Sequence, residues 1–321
     1  MFMDKKVDIL LATYNGEKYL AELIESIIKQ SHNNWLLLIR DDGSKDKTMD
    51  IINGYCEKYP DKINLVKDLD RNIGVVKNFS RLINYSKSNY IMFSDQDDIW
   101  LPDKIKLCLE KISTEETKHR QDFPLLVHTD LKVVDENLNV ISESFWNFKK
   151  LDPEKGSKIG TALCHNVVTG CTVMFNKALK DNIKDIPEKT IMHDWWLNLL
   201  AISLGKVLYI NTPTILYRQH SNNTLGAGID SSIKNNLMKL SNTDLIKKYI
   251  AKMRKINLDS QLQAKIILEM YKDRIDKDKR HVIEEYSNLA NNSFFKRKLT
   301  IKKYNFSKIG LIRNISMFFI S

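Results

Sequence analysis

The sequence predicts an α/β fold with a mostly parallel sheet, followed by a helical and basic C-terminal region. In the first 112 residues, short apolar runs alternate with helical patterns, and each run is apolar at nearly every position. Strands of this kind are typical of parallel sheets covered on both faces. Charge separates the two regions. Residues 1–225 contain 30 Lys and Arg against 31 Asp and Glu, whereas residues 226–321 contain 20 against 9, so the net charge of +10 comes from the last third.

The first half of the chain contains four predicted strands, at 7–12, 35–40, 63–66 and 90–93. Apolar residues at three-and-four spacing predict the intervening helices, at about 17–30, 46–58 and 74–87. Farther along, apolar runs predict strands at 125–130, 171–175 and 206–210. An amphipathic helix is predicted at 193–205, closed by Gly205, and the chain is helical from about 233 onward. Because parallel strands end at one edge of a sheet, we expect a ligand site there.

Composition narrows the possible classes of protein. No stretch reaches the roughly 18 to 20 apolar residues that span a bilayer, and the N-terminus does not resemble a signal peptide. The four cysteines show no CxxC spacing, which predicts reduced thiols and a cytoplasmic protein. The basic excess lies in one region only, so we expect no nucleic-acid partner.

Three carboxylates follow the fourth strand in "FSDQDDIW" and repel one another: Asp95, Asp97 and Asp98. Carboxylates at D-x-D spacing can hold Mg²⁺ or Mn²⁺ together with substrate phosphates, and the cation would relieve the repulsion. The alternative is a helix N-terminus, because Asp is favoured near the start of a helix and "LPDKIKLCLEKI" follows.

Two further carboxylates follow the second strand in "RDDGSKDKT". Gly43 and Ser44 suit a turn, and Asp46 suits a helix N-cap. These assignments leave Asp41 and Asp42 unexplained. We expect them to accept hydrogen bonds from a ligand, such as a base N–H or ribose hydroxyls.

Four stretches together resemble the nucleotide-binding half of inverting family 2 glycosyltransferases, which have the GT-A fold: "LLATYNGEKYLAELIESIIKQS", "IRDDGSKDKT", "RNIGVVKNFSRLI" and "YIMFSDQDDIWLPDKI". The resemblance continues through "VTGCTVMFN" and "HDWWL" to "YRQHSNN" and covers roughly residues 5–225. It implies a GT-A catalytic domain at 1–225, with a nucleotide-binding half at about 1–112 and an acceptor half at about 113–225. Residues 226–321 would form the separate helical, basic region.

The resemblance also implies roles for the residues at the strand ends. The nucleoside pocket would be lined by Thr13, Tyr14, Asn15 and Glu17. Either Asp41 or Asp42 would contact the pyrimidine base, and the motif does not choose between them. The segment that closes over the nucleotide would contain Arg71, Asn72, Gly74 and Lys77. Asp95 and Asp97 match the metal-and-ribose D-x-D, with Asp97 as the metal ligand.

The later motifs imply the residues that act on the sugar. Asp194 in "HDWW" matches the catalytic base of the family, although His193 stands where a second acidic residue is common. His220 matches a histidine that closes on the metal and the diphosphate, and Arg218 could hold phosphate. Trp195 and Trp196 are either an acceptor platform or part of a helix-face core.

These assignments predict a metal-dependent inverting glycosyltransferase that uses Mn²⁺ or Mg²⁺. Negative charge would build on the leaving nucleotide diphosphate, while a carboxylate takes the proton of the acceptor hydroxyl. The resemblance is strongest to bacterial rhamnosyltransferases of cell-surface polysaccharide synthesis, which implies dTDP-L-rhamnose as donor and a saccharide acceptor on a lipid carrier. UDP-glucose, UDP-galactose and UDP-N-acetylhexosamine remain alternatives, because uracil and thymine differ by one methyl group.

Two other classes of protein are alternatives to a glycosyltransferase. A nucleotidyltransferase usually has a Gly-rich loop with a basic residue after its first strand, but "ATYNGEKY" stands there. A non-enzymatic basic module would suit the C-terminal third and leave the aligned carboxylates unexplained.

The C-terminal tail, residues 293–321, has seven Lys and Arg, no acidic residue and many Phe, Ile and Leu. Such a segment suits an anionic membrane surface, which would make the protein peripheral on the inner face of the plasma membrane. The alternative is that its apolar face packs on the catalytic domain or on a partner subunit.

Overall fold

The structure is a computed structural model that describes residues 4–68, 70–220 and 243–308. Several predicted features extend beyond these residues. The last three residues of "YRQHSNN", the start of the predicted C-terminal helices at 233–242 and the end of the basic tail at 309–321 lie outside the described residues.

The first half of the chain alternates strands and helices as predicted. Its elements are β1 (Val7–Thr13), α1 (Leu20–Ile28), β2 (Trp35–Asp41), α2 (Thr48–Lys58), β3 (Ile63–Leu65), α3 (Gly74–Tyr85), β4 (Tyr90–Ser94), β5 (Ile99–Trp100) and α4 (Lys104–Glu116). Strand β5 follows Asp98 directly, and α4 begins only at Lys104. The interpretation of Asp97 and Asp98 as a helix N-terminus is therefore wrong.

The second half is less regular, as the sequence indicated. Its elements are β6 (Leu125–Val134), β7 (Val140–Ser142), α5 (Phe145–Lys149), α6 (Pro153–Gly156), α7 (Ile159–Cys164), β8 (Met174–Asn176), α8 (Lys177–Lys180), α9 (His193–Leu204) and β9 (Lys206–Arg218). The strand predicted at 171–175 is instead a 3₁₀ turn, Gly170–Thr172, followed by the shorter β8. Three helices follow, α10 (Thr243–Tyr271), α11 (Lys277–Ser287) and α12 (Phe294–Lys303).

The strands of the described chain form one sheet in the order β3-β2-β1-β4-β8-β6-β9-β5, with β7 paired to β6. Strands β3, β2, β1 and β4 are parallel, as expected for the nucleotide-binding half. Strand β8 runs antiparallel to both β4 and β6, so the sheet becomes mixed beyond β4.

The register of the parallel strands brings their polar ends together. Thr13 of β1 lies opposite Asp41 of β2, and Leu11 lies opposite Ser94 at the end of β4. Asp95 therefore follows β4 at the same edge of the sheet as Thr13 and Asp41.

Strand β9 is longer than predicted because a register shift lets it pass Pro213. Its pairing with β6 shifts between Thr129 and Asp130, and Pro213 lies opposite Asp130. Proline cannot donate to a ladder and is tolerated at such irregularities. The extension carries Arg218, the last residue of β9, back to the carboxyl edge of the sheet, with His220 just beyond it.

Apolar side chains fill both faces of the sheet. One cluster, which includes Ile9 and Leu11 of β1, is covered by α1, α2 and α4. The other includes Leu10 and is covered by α3, α7 and α9 together with the C-terminal region. That region contributes Tyr271, Tyr286 and Phe306 to the cluster, among other residues. The helices after residue 243 thus share a core with the acceptor half.

Gly205, which ends α9, lets this part of the chain pack closely against Pro124. A Cβ atom on Gly205 would lie 1.9 Å from the carbonyl oxygen of Pro124, and the backbone cannot move that far. In the described residues, no helix is both long enough and apolar enough to cross a membrane.

Candidate active site

A cleft of about 780 Å³ opens at the carboxyl ends of β1, β2 and β4. It also reaches the start of α9 and the end of β9. Among the residues singled out in the sequence, those that line it are Thr13, Tyr14, Asn15, Asp42, Asn72, Gly74, Asp95, Asp97, His193, Asp194 and His220. Six stretches of the chain therefore meet in one cavity.

Hydrogen bonds between loops fix one wall of the cleft. Asn15 has a left-handed backbone conformation (φ 48°), its backbone N–H donates to Ser44 Oγ at 2.8 Å, and its side-chain oxygen accepts from the N–H of Lys45 at 2.9 Å. Glu17 accepts from the N–H of Lys47 at 2.8 Å. The carboxylate of Glu17 thus joins two loops and does not line the cleft.

Gln96, which was not among the predicted site residues, positions Tyr14. The backbone N–H of Tyr14 donates to Gln96 Oε1 at 2.9 Å, and Gln96 Nε2 donates back to the carbonyl of Tyr14 at 3.0 Å. The Tyr14 ring remains 47% exposed in the cleft. The only indication of this role in the sequence is the position of Gln96 between two carboxylates in "DQD".

The two adjacent aspartates after β2 have different surroundings. The Asp41 carboxylate accepts hydrogen bonds from Thr13 Oγ1 (3.0 Å), the N–H of Gly43 (3.0 Å) and the N–H and hydroxyl of Ser44. These four donors match its four lone-pair sites. Asp41 therefore stabilises the turn, and it lies outside the cleft lining.

Asp42 lines the cleft and holds the segment before α3. Its two oxygens accept from the N–H of Ile73 at 2.9 Å and of Gly74 at 2.8 Å. Arg40, almost fully buried, pairs with both Asp42 (3.3 Å) and Asp68 (2.8 Å). Arg40 was not among the predicted site residues. A charged residue at the end of the apolar run "WLLLIR" indicates a buried ion pair of this kind.

The structure does not bring the predicted cations of this segment into the cleft. Arg71 donates to the carbonyls of Asp68 and Asp70, both at 2.8 Å, and its side chain is half exposed outside the cavity. Lys77 lies on the outer face of α3, where it pairs with Glu188 at 2.5 Å.

Carboxylates crowd the floor of the cleft. Burial, followed by the charges of Asp97 and Asp194, raises the pKa of Asp95 to about 7. Burial likewise raises the pKa of Asp194 to about 7 and that of Asp98 well above its usual range. Each shift shows that a negative charge is costly there without a compensating cation.

A buried lysine lies beneath this acidic floor. Lys104 Nζ donates to the carbonyl of Cys171 at 2.8 Å and lies 3.2 Å from the centre of the Trp100 ring. Burial lowers the pKa of Lys104 to about 8. This lysine was not among the predicted site residues.

Two arrangements of ligating atoms occur near the floor. His220 Nε2 lies 2.9 Å from Asp97 Oδ2, which brings together the two residues predicted to hold a metal. Separately, single ligand atoms of Asp95, Asp98 and Cys171 lie within 4.8 Å of one another. Burial raises the pKa of the Cys171 thiol well above its usual range, so it is a poor ligand for a hard cation.

Asp194 lies in the first turn of α9, where the backbone N–H of Gly170 donates to its Oδ2 at 3.1 Å. Beside it, His193 is also in the cleft lining, and its ring stacks on Phe79 with 4.2 Å between ring centres. The 3₁₀ turn that contains Gly170 therefore orients the predicted base.

The tryptophans after Asp194 lie in the core. Trp195 is 7% exposed and its indole N–H donates to the carbonyl of Ala162 at 2.8 Å, while Trp196 is fully buried. Both belong to the apolar cluster shared with the C-terminal helices. Of the two interpretations, the structure agrees with the helix-face core.

Arg218, predicted to hold phosphate, is 2% exposed and lies outside the cleft lining. Its guanidinium donates to the carbonyls of Asp97 (3.0 Å) and Glu136 (2.8 Å), pairs with Glu22 and lies 4.3 Å from the centre of the Tyr19 ring. Arg218 thus fixes the backbone of Asp97 instead.

We expect Arg218→Ala to lower the free energy of unfolding by about 1.5–3 kcal/mol, because the carbonyls of Asp97 and Glu136 lose a charged donor. Urea denaturation measures the loss. The control is Arg120→Ala, whose ion pair with Asp122 is exposed and whose removal should cost less than about 1 kcal/mol. Equal stability of the two variants would contradict the structural role of Arg218.

Known proteins resemble this chain in sequence and in structure. The model of the family "Glycosyl transferase family 2" matches residues 8–181. The dTDP-rhamnosyl transferase RfbG of Shigella flexneri is 31% identical over 247 residues, which cover 76% of this chain and 83% of that protein. A crystal structure of residues 1–349 of S. aureus TarS in complex with UDP-GlcNAc is 18% identical with a TM-score of 0.56, covering 93% of this chain and 78% of the other.

A second solved structure is the mannosyltransferase PcManGT of Pyrobaculum calidifontis in complex with GDP-Man and Mn²⁺. It is 13% identical with a TM-score of 0.52, and the match covers 93% of this chain and 84% of that one. The structural likenesses support the fold, and the sequence matches extend over more than half of the chain. The chain therefore belongs to glycosyl transferase family 2 and is a glycosyltransferase with the GT-A fold.

Proposed function

We propose that this protein transfers a sugar, with inversion, from a nucleotide-diphosphate donor to a saccharide acceptor, with help from a divalent cation. The observation that carries the proposal is the meeting of Asp95, Asp97, Asp194 and His220 in one cleft at the carboxyl edge of the sheet. A cluster of acids with raised pKa values in a concave site is typical of catalytic sites.

On the nucleoside side of the cleft, we assign base recognition to Asp42 instead of Asp41. The four protein donors around Asp41 leave no lone pair for a ligand, whereas Asp42 lines the cavity. Tyr14 offers an exposed aromatic face, and Thr13 and Asn72 lie beside it in the same lining.

The residues present fit a hard divalent cation. Asp97 and His220 lie 2.9 Å apart and Asp95 lies close enough to repel Asp97, so two carboxylates and an imidazole converge in the cleft lining. Oxygen donors of this kind suit Mg²⁺ or Mn²⁺. A cation bound there would offset the charge that develops on the departing diphosphate.

Asp194 is the proposed general base. The acceptor hydroxyl forms a bond to the anomeric carbon and its proton passes to Asp194, while the bond to the diphosphate breaks and the electron pair leaves with the nucleotide. A pKa raised to about 7 suits this role, because the base then captures a proton readily and is still ionised near neutrality. A single displacement inverts the anomeric centre.

For the donor we favour dTDP-L-rhamnose, on the strength of the likeness to the Shigella dTDP-rhamnosyl transferase. UDP-hexoses and UDP-N-acetylhexosamines are the second choice, supported by the fold shared with the TarS complex with UDP-GlcNAc. We propose a lipid-linked saccharide of a cell-surface polysaccharide as acceptor.

A donor panel tests the function directly. Purified protein with Mn²⁺ or Mg²⁺ should release nucleotide diphosphate slowly from dTDP-rhamnose without acceptor, and less from UDP-glucose, UDP-galactose and UDP-N-acetylglucosamine. Release from a UDP-sugar alone would replace rhamnose as the donor. Release from none of the four, in the presence of either metal, would count against donor turnover altogether.

Removing Asp97 should abolish the effect of metal on nucleotide binding, because its carboxylate is the oxygen donor paired with His220. We expect Asp97→Ala to bind dTDP or UDP equally with Mn²⁺ and with a chelator in calorimetric titrations. Asp103→Ala, an exposed carboxylate outside the cleft, is the matched control and should keep the metal effect. A metal effect that survives in Asp97→Ala would move the cation site elsewhere.

Asp194→Asn should retain donor affinity and lose transfer by about 10²–10⁴-fold, as expected for a general base. Because protonated Asp194 cannot accept a proton, wild-type kcat/KM at saturating metal should fall about tenfold per pH unit below about 7. Asp122→Asn, an exposed change, should leave both quantities unchanged. A flat profile down to pH 5, or equal losses of affinity and turnover in Asp194→Asn, would make Asp194 structural.

We also propose that α12 rests on an anionic membrane surface. Its inner face is anchored, since Ile301 and the following Phe306 are buried in the core. Its outer face leaves Phe295 and Leu299 exposed by 78% and 70%, one turn apart. Residues 293–308 contain six Lys and Arg and no acid. Exposed apolar residues among cations suit an interfacial helix on the inner face of the plasma membrane.

Because part of α12 is buried, point variants test this proposal better than truncation. Phe295→Glu with Leu299→Glu should weaken sedimentation with phosphatidylglycerol vesicles at least about tenfold, since two apolar contacts are lost. The control replaces two exposed apolar residues of α10, Ile250→Glu with Leu258→Glu, and adds the same charge. If both double variants lose vesicle binding equally, the change in net charge explains the loss and the proposed contact of α12 with the membrane is contradicted.

A further inference from the structure

His193 is a buried polar side chain whose bonding capacity the protein does not use. It is 5% exposed and lines the cleft beside Asp194. Neither of its ring nitrogens has a hydrogen-bond partner among the described residues. Buried polar atoms in folded proteins are almost always hydrogen-bonded. Because His193 lies at the wall of the cleft, a bound ligand can supply the partner that the described residues do not.

Aromatic packing holds the ring in one orientation. The His193 ring stacks on Phe79 with 4.2 Å between centres and an interplanar angle of 22°, and it meets the edge of Phe93 at 5.4 Å. Next to it, a Cβ atom on Gly170 would lie only 2.9 Å from Nε2. The glycine leaves room for the ring, and the two phenylalanines prevent it from turning away to find another partner.

The ring is uncharged under physiological conditions, because burial lowers its pKa to about 3. A neutral imidazole presents one N–H donor and one acceptor nitrogen. Either nitrogen can pair with a hydroxyl group, which both donates and accepts. A phosphate, which offers acceptors only, could pair with the N–H but not with the acceptor nitrogen.

We propose that His193 is a specificity-determining residue that hydrogen-bonds a hydroxyl of one of the two sugars that meet at Asp194. The inference rests on the proposed sugar transfer and adds the residue that reads the sugar. It follows from position: the same helix turn carries the proposed base, so a group held by His193 lies next to the reacting centre.

The chain contains its own matched control. His128 is also fully buried, also lacks partners for both ring nitrogens among the described residues, and also has a pKa lowered to about 3 by burial. It packs against Trp146 at 5.4 Å and is not part of the cleft lining. Any effect of removing an orphaned buried imidazole as such is therefore common to both, whereas substrate recognition belongs to His193 alone.

The test compares His193→Phe, which keeps an aromatic ring without hydrogen bonds, with His193→Gln, which restores a donor and an acceptor, and with His128→Phe. The substrate is the nucleotide-sugar that the wild-type protein hydrolyses fastest, so failure of the rhamnose assignment changes the probe and not the comparison. We expect His193→Phe to lose about tenfold in kcat/KM, the size of one neutral hydrogen bond. His193→Gln should recover part of it, and His128→Phe should match the wild type in the folded protein.

Deoxy analogues give the decisive readout. For the wild type, the analogue that lacks the contacted hydroxyl should lose far more than any other, because it leaves the imidazole unpaired. In His193→Phe this discrimination should disappear, as a double-mutant cycle requires. If His193→Phe releases nucleotide more slowly than the wild type without acceptor, the contacted hydroxyl belongs to the donor sugar. If only the rate of transfer and the KM for the acceptor change, the hydroxyl belongs to the acceptor.

Unchanged discrimination in His193→Phe would overturn the proposal while leaving the glycosyltransferase activity in place. Thermal midpoints are measured first for every variant. Should His193→Phe not fold, His193→Leu repeats the comparison with a smaller apolar side chain. Equal discrimination by a folded His193→Leu and by the wild type would likewise overturn it.

Discussion

Repulsion between carboxylates is the constraint on which this cleft depends. Asp95, Asp97 and Asp194 are partly buried, and the charges of Asp97 and Asp194 add to burial in raising the pKa of Asp95. Burial also raises the pKa of Asp194, and both shifts reflect the cost of a negative charge there. The fold tolerates the cost because rigid supports hold the backbone around each acid. Arg218 fixes the carbonyl of Asp97, and the N–H of Gly170 meets Asp194. These contacts hold Asp97 and Asp194 in place at the cleft.

Neighbouring residues of one type separate into ligand-facing and scaffold roles through their surroundings. Asp41 and Asp42 are adjacent in sequence, yet one carboxylate is saturated by a turn and the other faces the cavity. His193 and His128 are both buried imidazoles without partners among the described residues, but only His193 lines the cleft. What distinguishes the members of each pair is whether the tertiary fold places the side chain in the cleft lining.

The strands of the nucleotide-binding half and the residues at their ends could be predicted, because apolar runs and parallel pairing determine where Thr13, Asp42 and Asp95 must lie. Features that depend on distant packing could not be predicted. The sequence leaves Trp195 and Trp196 open between an acceptor platform and a helix-face core, and helices far along the chain bury them. Arg218 is predicted to hold phosphate, but the extended β9 brings it to Glu22 and Tyr19. Lys77 is on the helix face away from the cleft, and its pairing with Glu188 depends on a loop more than a hundred residues away.

The shared core under α9 affects how such enzymes can be recombined. One apolar cluster is built entirely from residues between Val7 and Tyr217, but the other joins α7 and α9 to Tyr271, Tyr286 and Phe306. A chimera that exchanges the C-terminal helices between relatives would therefore exchange half of the packing beneath the helix that carries Asp194. The smallest unit that can be transplanted with its geometry intact includes those helices, so the composition of the tail and the position of Asp194 are inherited together.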